Sequence, residues 1–358
     1  MSHATVITLE YPPVRGGVAR YLGGLVDASG GEIGTVVVEQ NHKLTGPGSV
    51  IPREFFWHGW PTWGPMIRVC LEQKKSKMLI VSHLLPVGTA VMIARWLGGA
   101  PYTVVCHGLD VRLAAARPWK KFLAGLVLRH AHMVVANSAS TAKMVKRIVP
   151  TDPLILTPGV AQGLAMSREA AREHLGIAQD EELILGVGRL VKRKGFDLLL
   201  EATERLKDRE RVRTVIVGDG PELANLKQLA EHMKHPVRFV TDAQDRDLEA
   251  WYAAADVFCG PSRESANDVE GFGIVYLEAA AHGLPVVATV TGGVAEAVMN
   301  GETGLLVPPD DLHALSDALR RLLENPAMRQ NLGQNGLERA LRDFRWEDRW
   351  KRLKKALK

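Results

Sequence analysis

Two carboxylates, Glu270 and Glu278, bracket a glycine-containing apolar run, VEGFGIVYLE at 269–278. GIVYLEAAAHG predicts a helix closed by Gly283, entered from a loop that follows the strand-like run DVFCGPS. Glu270 then lies just before the helix and Glu278 two turns inside it, a separation of roughly 12 Å at helical rise. A glycosidase acid–nucleophile pair sits about 5–9.5 Å apart around one bond. The wider spacing suits the two ends of one elongated ligand. Gly271 and Gly273 let main-chain N–H groups come close to it, and a helix N-terminus attracts phosphate. Solvated glutamates on a surface helix would leave the same trace.

Other stretches offer complementary chemistry. GVGRLVKRKG (186–195) places Arg189 just after a strand and Lys194 before the next helix. A planar guanidinium and an ammonium so placed could grip a diphosphate. A solvated basic loop is the plain alternative, since Lys192 and Arg193 are charged too. In YPPVRGGVARYLGGL (11–25), Gly16 and Gly17 would permit close approach to phosphate or sugar, or simply make a tight turn. CHGLD (106–110) puts His107 at a strand terminus with Asp110 nearby. Asp245-Arg246-Asp247 is formally the D-x-D of metal-dependent sugar transferases, yet it precedes a helix and reads as cap and first-turn acids. No Walker pattern and no G-x-G-x-x-G stands at a strand–helix junction, which disfavours a dinucleotide dehydrogenase.

These residues need a frame, and the chain supplies two alike. Short β-branched runs recur at 5–9, 35–40, 77–83, 102–108, 133–138 and 154–160, then at 183–190, 214–220, 237–241, 256–262, 284–289 and 304–309. Amphipathic helical segments separate most of them, so the expected fold is α/β with parallel sheets covered on both faces. Two six-strand sets in 358 residues predict two doubly wound domains joined near Pro158-Gly159. Ligands bind outside the carboxyl ends of such strands. His83, His107, Gly188, Arg189, Gly218 and Ser262 gather there. If the sheets face each other, these ends line one cleft.

Composition is that of a soluble globular protein, 46% hydrophobic and 24% charged, without an 18-residue apolar run. The N-terminus lacks a signal-peptide pattern and reads directly as a strand. Cys70, Cys106 and Cys259 are far apart and lack metal spacing, as in a reduced cytoplasmic protein. Residues 1–150 carry 17 Lys and Arg against 7 Asp and Glu, net +10, which leaves 28 against 33, net −5, in 151–358. The first half therefore meets something anionic. Its stretches 57–77 and 117–130 interleave cations with aromatics, and the second suits an acidic bilayer surface through Trp119 and Phe122.

Taken together, VGRLVKRKG, GDGPE, PSRE…EGFG, HGLPVVAT, TGGVAEAV and GETGLLVPP resemble segments of the retaining, family-4 glycosyltransferases of the GT-B fold, whose signature is a Glu, seven residues and a second Glu. DVEGFGIVYLEA is most similar to the phosphatidylinositol mannosyltransferases and their relatives. The resemblance implies two Rossmann-like doubly wound domains facing across a cleft: an acceptor domain at 1–158, a nucleotide-sugar domain at 159–340, and a C-terminal helix at 341–358 packing back on the first. It implies that Arg189 and Lys194 hold the donor diphosphate and that Glu270 bonds the donor sugar. The amides of Gly271, Phe272, Gly273, Ile274 and Val275 would lie along the donor, and Glu278 would hold the ribose. Gly16, Gly17, Gly188 and Gly218 would approach the donor, His107 would sit by the anomeric centre, and Asp110, Arg15 and His83 would serve the acceptor. The catalytic set is His107, Arg189, Lys194 and Glu270.

The implied reaction is retaining, needs no metal and no cofactor, and moves a hexose from a nucleoside-diphosphate sugar to a lipid-linked or glycan acceptor in cell-envelope synthesis. GDP-mannose is the donor expected first and a UDP-hexose second. The protein would be cytoplasmic, peripheral on the inner face of the plasma membrane through its basic first domain, with no nucleic-acid partner. The chain departs from many relatives at Thr157-Pro158-Gly159, at Thr241-Asp242 and in the longer loop 265–269. The alternatives are an epimerase or phosphorylase on the same plan, or a non-enzymatic basic module binding membrane or nucleic acid, against which the strand-end motifs argue.

Overall fold

The computed structural model describes residues 3–357 apart from 15, 40–47, 162, 164–165, 207, 244 and 265–268. The chain divides into two compact units, Met1–Gly159 with Trp346–Lys358, and Val160–Arg345. Each is built on one wholly parallel sheet.

In unit 1 the strands are β1 (Ala4–Thr8), β2 (Ile33–Glu39), β3 (Ser49–Arg53), β4 (Leu79–Ser82), β5 (Tyr102–Cys106), β6 (Met133–Ala136) and β7 (Leu154–Ile155), in the order β3-β2-β1-β4-β5-β6-β7. The order reverses at β1, the topological switch of a doubly wound sheet. Successive side chains feed opposite faces. Val36, Val38 and Ile80 enter the core beneath the helix Gly17–Ala28, while Val37, Leu79 and Val81 enter the core on the other side. Both faces are covered, so the strands read as continuous apolar runs. Among the described residues the sheet has seven strands rather than the six expected. The extra one, SVIPR, is half exposed at the edge and contains Pro52, which hides its period-2 signal and restricts it to an edge.

In unit 2 the strands are β8 (Glu182–Val187), β9 (Val212–Val217), β10 (Val237–Val240), β11 (Val257–Gly260), β12 (Val286–Thr289) and β13 (Gly304–Val307), ordered β10-β9-β8-β11-β12-β13, the six expected.

The last helix, Trp346–Ala356, packs on the helix Gly17–Ala28 of unit 1, while 341–343 belong to the preceding helix Pro326–Asp343 in unit 2. Glycine makes that docking possible. A Cβ at Gly24 would lie 2.2 Å from the Trp346 indole and one at Gly159 2.5 Å from it. Trp350 and Leu353 add a buried stripe, and Arg349 donates to the Thr157 carbonyl at 3.1 Å. The three cysteines are free and buried. Among the described residues no helix is long and apolar enough to cross a membrane.

Candidate functional site

In unit 2 the ends of β8, β11 and β12 form one tightly packed cluster. Gly188 leaves β8 at φ +152°, and a Cβ there would press the Lys194 side chain at 3.3 Å. Gly218 leaves β9 at φ +150°, and its missing Cβ would lie 1.9 Å from the Gly188 carbonyl oxygen. Gly218 is thus a main-chain packing position that holds the β8 exit. A single 3-10 turn, Lys192–Lys194, follows, and the Arg263 N–H donates to the Arg193 carbonyl at 2.6 Å. Arg263 is itself held by Asp197 and Asp310.

This packing points two of three consecutive cations inward. Lys192 is exposed, whereas the side chains of Arg193 and Lys194 are only 17% and 12% exposed. Both meet the Oε2 atom of Glu270, Lys194 Nζ at 2.7 Å and Arg193 by a still closer contact, and the Ser262 hydroxyl reaches the same atom at 3.4 Å. Among the described residues no donor reaches Oε1. Burial pushes the Glu270 carboxyl up, but the charges of Lys194 and Arg193 and their hydrogen bonds outweigh it and hold it at about 2. Glu270 is therefore a fixed carboxylate, an acceptor and not a proton donor.

The loop carrying Glu270 rests on the segment after β12. The Gly293 N–H donates to the Glu270 carbonyl at 3.1 Å, and a Cβ at Gly292 would lie 2.0 Å from that oxygen. Gly271 lies under Gly293, and the buried Phe272 ring packs on Phe344 with centroids 6.0 Å apart, so only the main chain of Phe272 is free to face a ligand. Gly273, at φ +86°, caps the helix Ile274–Ala281, whose first residues Ile274 and Val275 are half-buried. Glu278, inside the helix, accepts from the Tyr252 hydroxyl at 2.8 Å. His282 stacks on Tyr252 and spans the Glu278 carbonyl and the Glu249 carboxylate, both at 2.8 Å. Arg189 is exposed, with no carboxylate partner among the described residues.

The strand ends of unit 1 are built differently. His107, just past the end of β5, is half-buried, its Nε2 3.0 Å from the Ser82 hydroxyl and its ring edge-on to Tyr21. Burial pulls its imidazole down to about 4, against the opposing pull of Asp110, so the ring is neutral at neutral pH. Asp110 accepts from the main-chain N–H groups of His107 (2.9 Å) and Leu84 (3.1 Å) and so joins the exits of β4 and β5. His83 holds a left-handed backbone at φ +76°, and among the described residues its buried Nδ1 has no partner. Gly16 is extended, and a Cβ there would press the Glu10 carboxylate at 3.2 Å, whereas one at Gly17 would meet nothing within 4 Å, so packing does not demand Gly17. Arg15 and the side chain of Asp245 lie outside the described residues; Asp247 of the D-x-D stretch pairs with His174 at 3.2 Å.

Sequence reading missed Arg193, which it grouped with Lys192 as solvated, and the Tyr252–His282 support of Glu278. No spacing rule separates Arg193 from Lys192; only the turn geometry does.

Comparison with known proteins bears on the whole chain. The model of "Glycosyl transferase 4-like domain" matches residues 16–158 and that of "Glycosyl transferases group 1" matches 167–339. The chain is 30% identical to the GDP-mannose-dependent alpha-(1-6)-phosphatidylinositol monomannoside mannosyltransferase of Mycolicibacterium smegmatis, over 98% of this chain and 97% of that protein. It is 36% identical to a D-inositol 3-phosphate glycosyltransferase of Nocardioides over 62% of this chain and 52% of that one. In fold it is similar to sucrose-phosphate synthase of Thermosynechococcus elongatus (TM-score 0.81, 23% identity, covering 99% and 98% of the two chains). It is similar also to Anabaena HepE solved with UDP and glucose (TM-score 0.82, 19% identity, 99% of each chain). The chain belongs to the family-4 glycosyltransferases of the GT-B fold.

Proposed function

We propose that this glycosyltransferase is retaining and metal-independent and moves mannose from GDP-mannose to a lipid-linked or glycan acceptor. The observation that carries the reading is the Glu270 carboxylate, gripped through Oε2 by Lys194 and Arg193 with Oε1 left to accept from sugar hydroxyls. In the reaction the bond from the sugar C1 to the diphosphate oxygen breaks and a bond from C1 to the acceptor oxygen forms on the same face. The acceptor's proton passes to the departing diphosphate. Arg189 and Lys194 offset the charge that develops on that group, commonly the largest catalytic contribution. The bare amides at Gly271–Gly273 line the donor, Glu278 takes the ribose, and neutral His107 offers hydrogen bonds near C1 without adding a repelling charge. No cofactor takes part. The mannosyltransferase relative supports GDP-mannose and a glycolipid acceptor. A UDP-hexose is the second reading, favoured by the fold's likeness to a protein solved with UDP-glucose.

We place the enzyme on the inner membrane face, in envelope glycoconjugate synthesis. The side chains of Trp119 and Phe122 are 59% and 68% exposed beside Arg117, Lys120 and Lys121. Such a face suits anionic headgroups.

Purified protein given a panel of nucleotide sugars with lipid extract should release GDP from GDP-mannose, keep the anomeric configuration of the sugar in the product and work in chelator. Nucleotide release from none of the donors, or an inverted product, overturns the reading.

A further inference from the structure

We propose that Arg263 is a positioning residue of the donor site: it straps the turn that carries Lys194 on both sides of the lysine, and so aims it at the donor diphosphate. This rests on the donor-site reading above. Lys192–Lys194 is a single 3-10 turn, followed by Gly195 at φ +66°. Such a turn holds its own shape poorly, because its hydrogen bonds are badly aligned. Lys194 therefore needs fixing from outside, and Arg263, just past β11, supplies it twice. Before the lysine, the Arg263 main-chain N–H donates to the Arg193 carbonyl at 2.6 Å. After it, the guanidinium Nη1 donates to both carboxylate oxygens of Asp197, at 2.6 and 2.7 Å, in the first turn of the helix Phe196–Glu204.

A third contact anchors the strap itself. Arg263 Nε donates to the carboxylate of Asp310, past the end of β13, where the backbone is left-handed at φ +58°. One side chain thus ties together the exits of β8, β11 and β13. An isolated exposed ion pair would add little. This guanidinium is only 26% exposed and meets two carboxylates, so it cannot swing free without leaving both. Arg320 is the internal control. It makes a matching pair with Asp208, at 2.6 and 2.9 Å, beyond the other end of the helix Phe196–Glu204 and away from the lysine turn.

Calorimetric titration with GDP and with UDP tests this, since both carry the diphosphate whatever the true base. Arg263→Met should weaken whichever of them the wild type binds by about fivefold, within the range of couplings between neighbouring side chains. Added to Lys194→Ala, the same change should cost less than about twofold, because no ammonium is left to aim. Arg320→Met should bind like the wild type. Amide exchange of Lys194 and Gly195, whose N–H groups bond within the turn, should quicken in Arg263→Met and not in Arg320→Met. Binding or exchange in Arg263→Met equal to wild type, an undiminished loss in the Lys194→Ala background, or an equal loss in Arg320→Met each overturns the proposal. Thermal melting separates misfolding from weak binding. Should Arg263→Met not fold, Asp197→Asn removes one carboxylate of the strap and should weaken binding in the same direction; an unchanged affinity overturns the proposal. A wild type that binds neither nucleotide overturns the donor-site reading itself, while the exchange comparison still tests the strap.

Discussion

The two units share a sheet plan and differ at their strand ends. Unit 2 concentrates fixed charge there: Glu270 is clamped by Lys194 and Arg193 on loops that glycine lets pack main chain against main chain. Unit 1 presents a neutral, half-buried His107, a strained His83 and a Gly17 that faces open space. One architecture thus supports two electrostatic styles. A site that must hold an anion through bond cleavage gains from preorganised cations. A site that must admit a neutral hydroxyl gains from uncharged donors and acceptors and room to approach.

The contrast breaks most sharply at Lys194. Lys194→Ala should lower transfer, read as nucleotide release, by roughly 10²–10³-fold, the scale of losing one preorganised electrostatic group. Retained activity would mean that unit 2 does not hold the donor where we place it. A structural probe of unit 1 comes next. Gly24→Ala puts a methyl where the Trp346 indole lies and should cost about 1–3 kcal/mol in denaturant unfolding by overpacking. The same change in a Trp346→Ala background should cost less, because the clash is gone.

A smaller effect concerns the surface. Trp119→Ala with Phe122→Ala should weaken binding to anionic vesicles about tenfold, from the loss of two exposed aromatic side chains that would enter the bilayer surface, and leave GDP affinity unchanged. Equal vesicle binding would remove the membrane assignment from unit 1.

The last is a slope. His107 is held at about 4 against an ordinary value near 6.5, so the folded unit resists protonation that the unfolded chain accepts. Its contribution is present above pH 6.5 and is lost as pH falls from 6.5 toward 4. His282 in unit 2 has the opposite sign. Burial pulls it down, but the Glu249 hydrogen bond, the Glu278 carbonyl and nearby carboxylate charge raise it overall, so its contribution is present below pH 6.5 and is lost as pH rises through the raised value. Glu270, held at about 2 against 4.5, loses its contribution only as pH falls from 4.5 toward 2. Acidifying from pH 7 to 5 should therefore reduce amide-exchange protection around β4 and β5 and not around β11 and β12. Equal loss in both regions would erase the distinction, and His107→Asn should remove the slope in unit 1.

Much of this was legible from residue order. The continuous apolar runs marked twelve of the thirteen strands among the described residues, because burial on both sheet faces imposes an unbroken pattern. SVIPR escaped because an edge strand half in water needs no such pattern. Glu270, Glu278, Lys194 and Arg189 stood out through their spacing about strand ends and a helix start. Arg193 did not, since three successive cations look alike in one dimension.

The sequence by itself determined the class of fold and the family, because periodicity and motif spacing are local properties of the chain. Only the tertiary structure decided which cations turn inward, that Glu270 is held ionised by cations meeting one of its oxygens, that His107 is neutral, and that Gly24 and Gly159 admit Trp346. Those outcomes depend on burial and on partners far away in sequence, and neither quantity is written in the order of neighbouring residues.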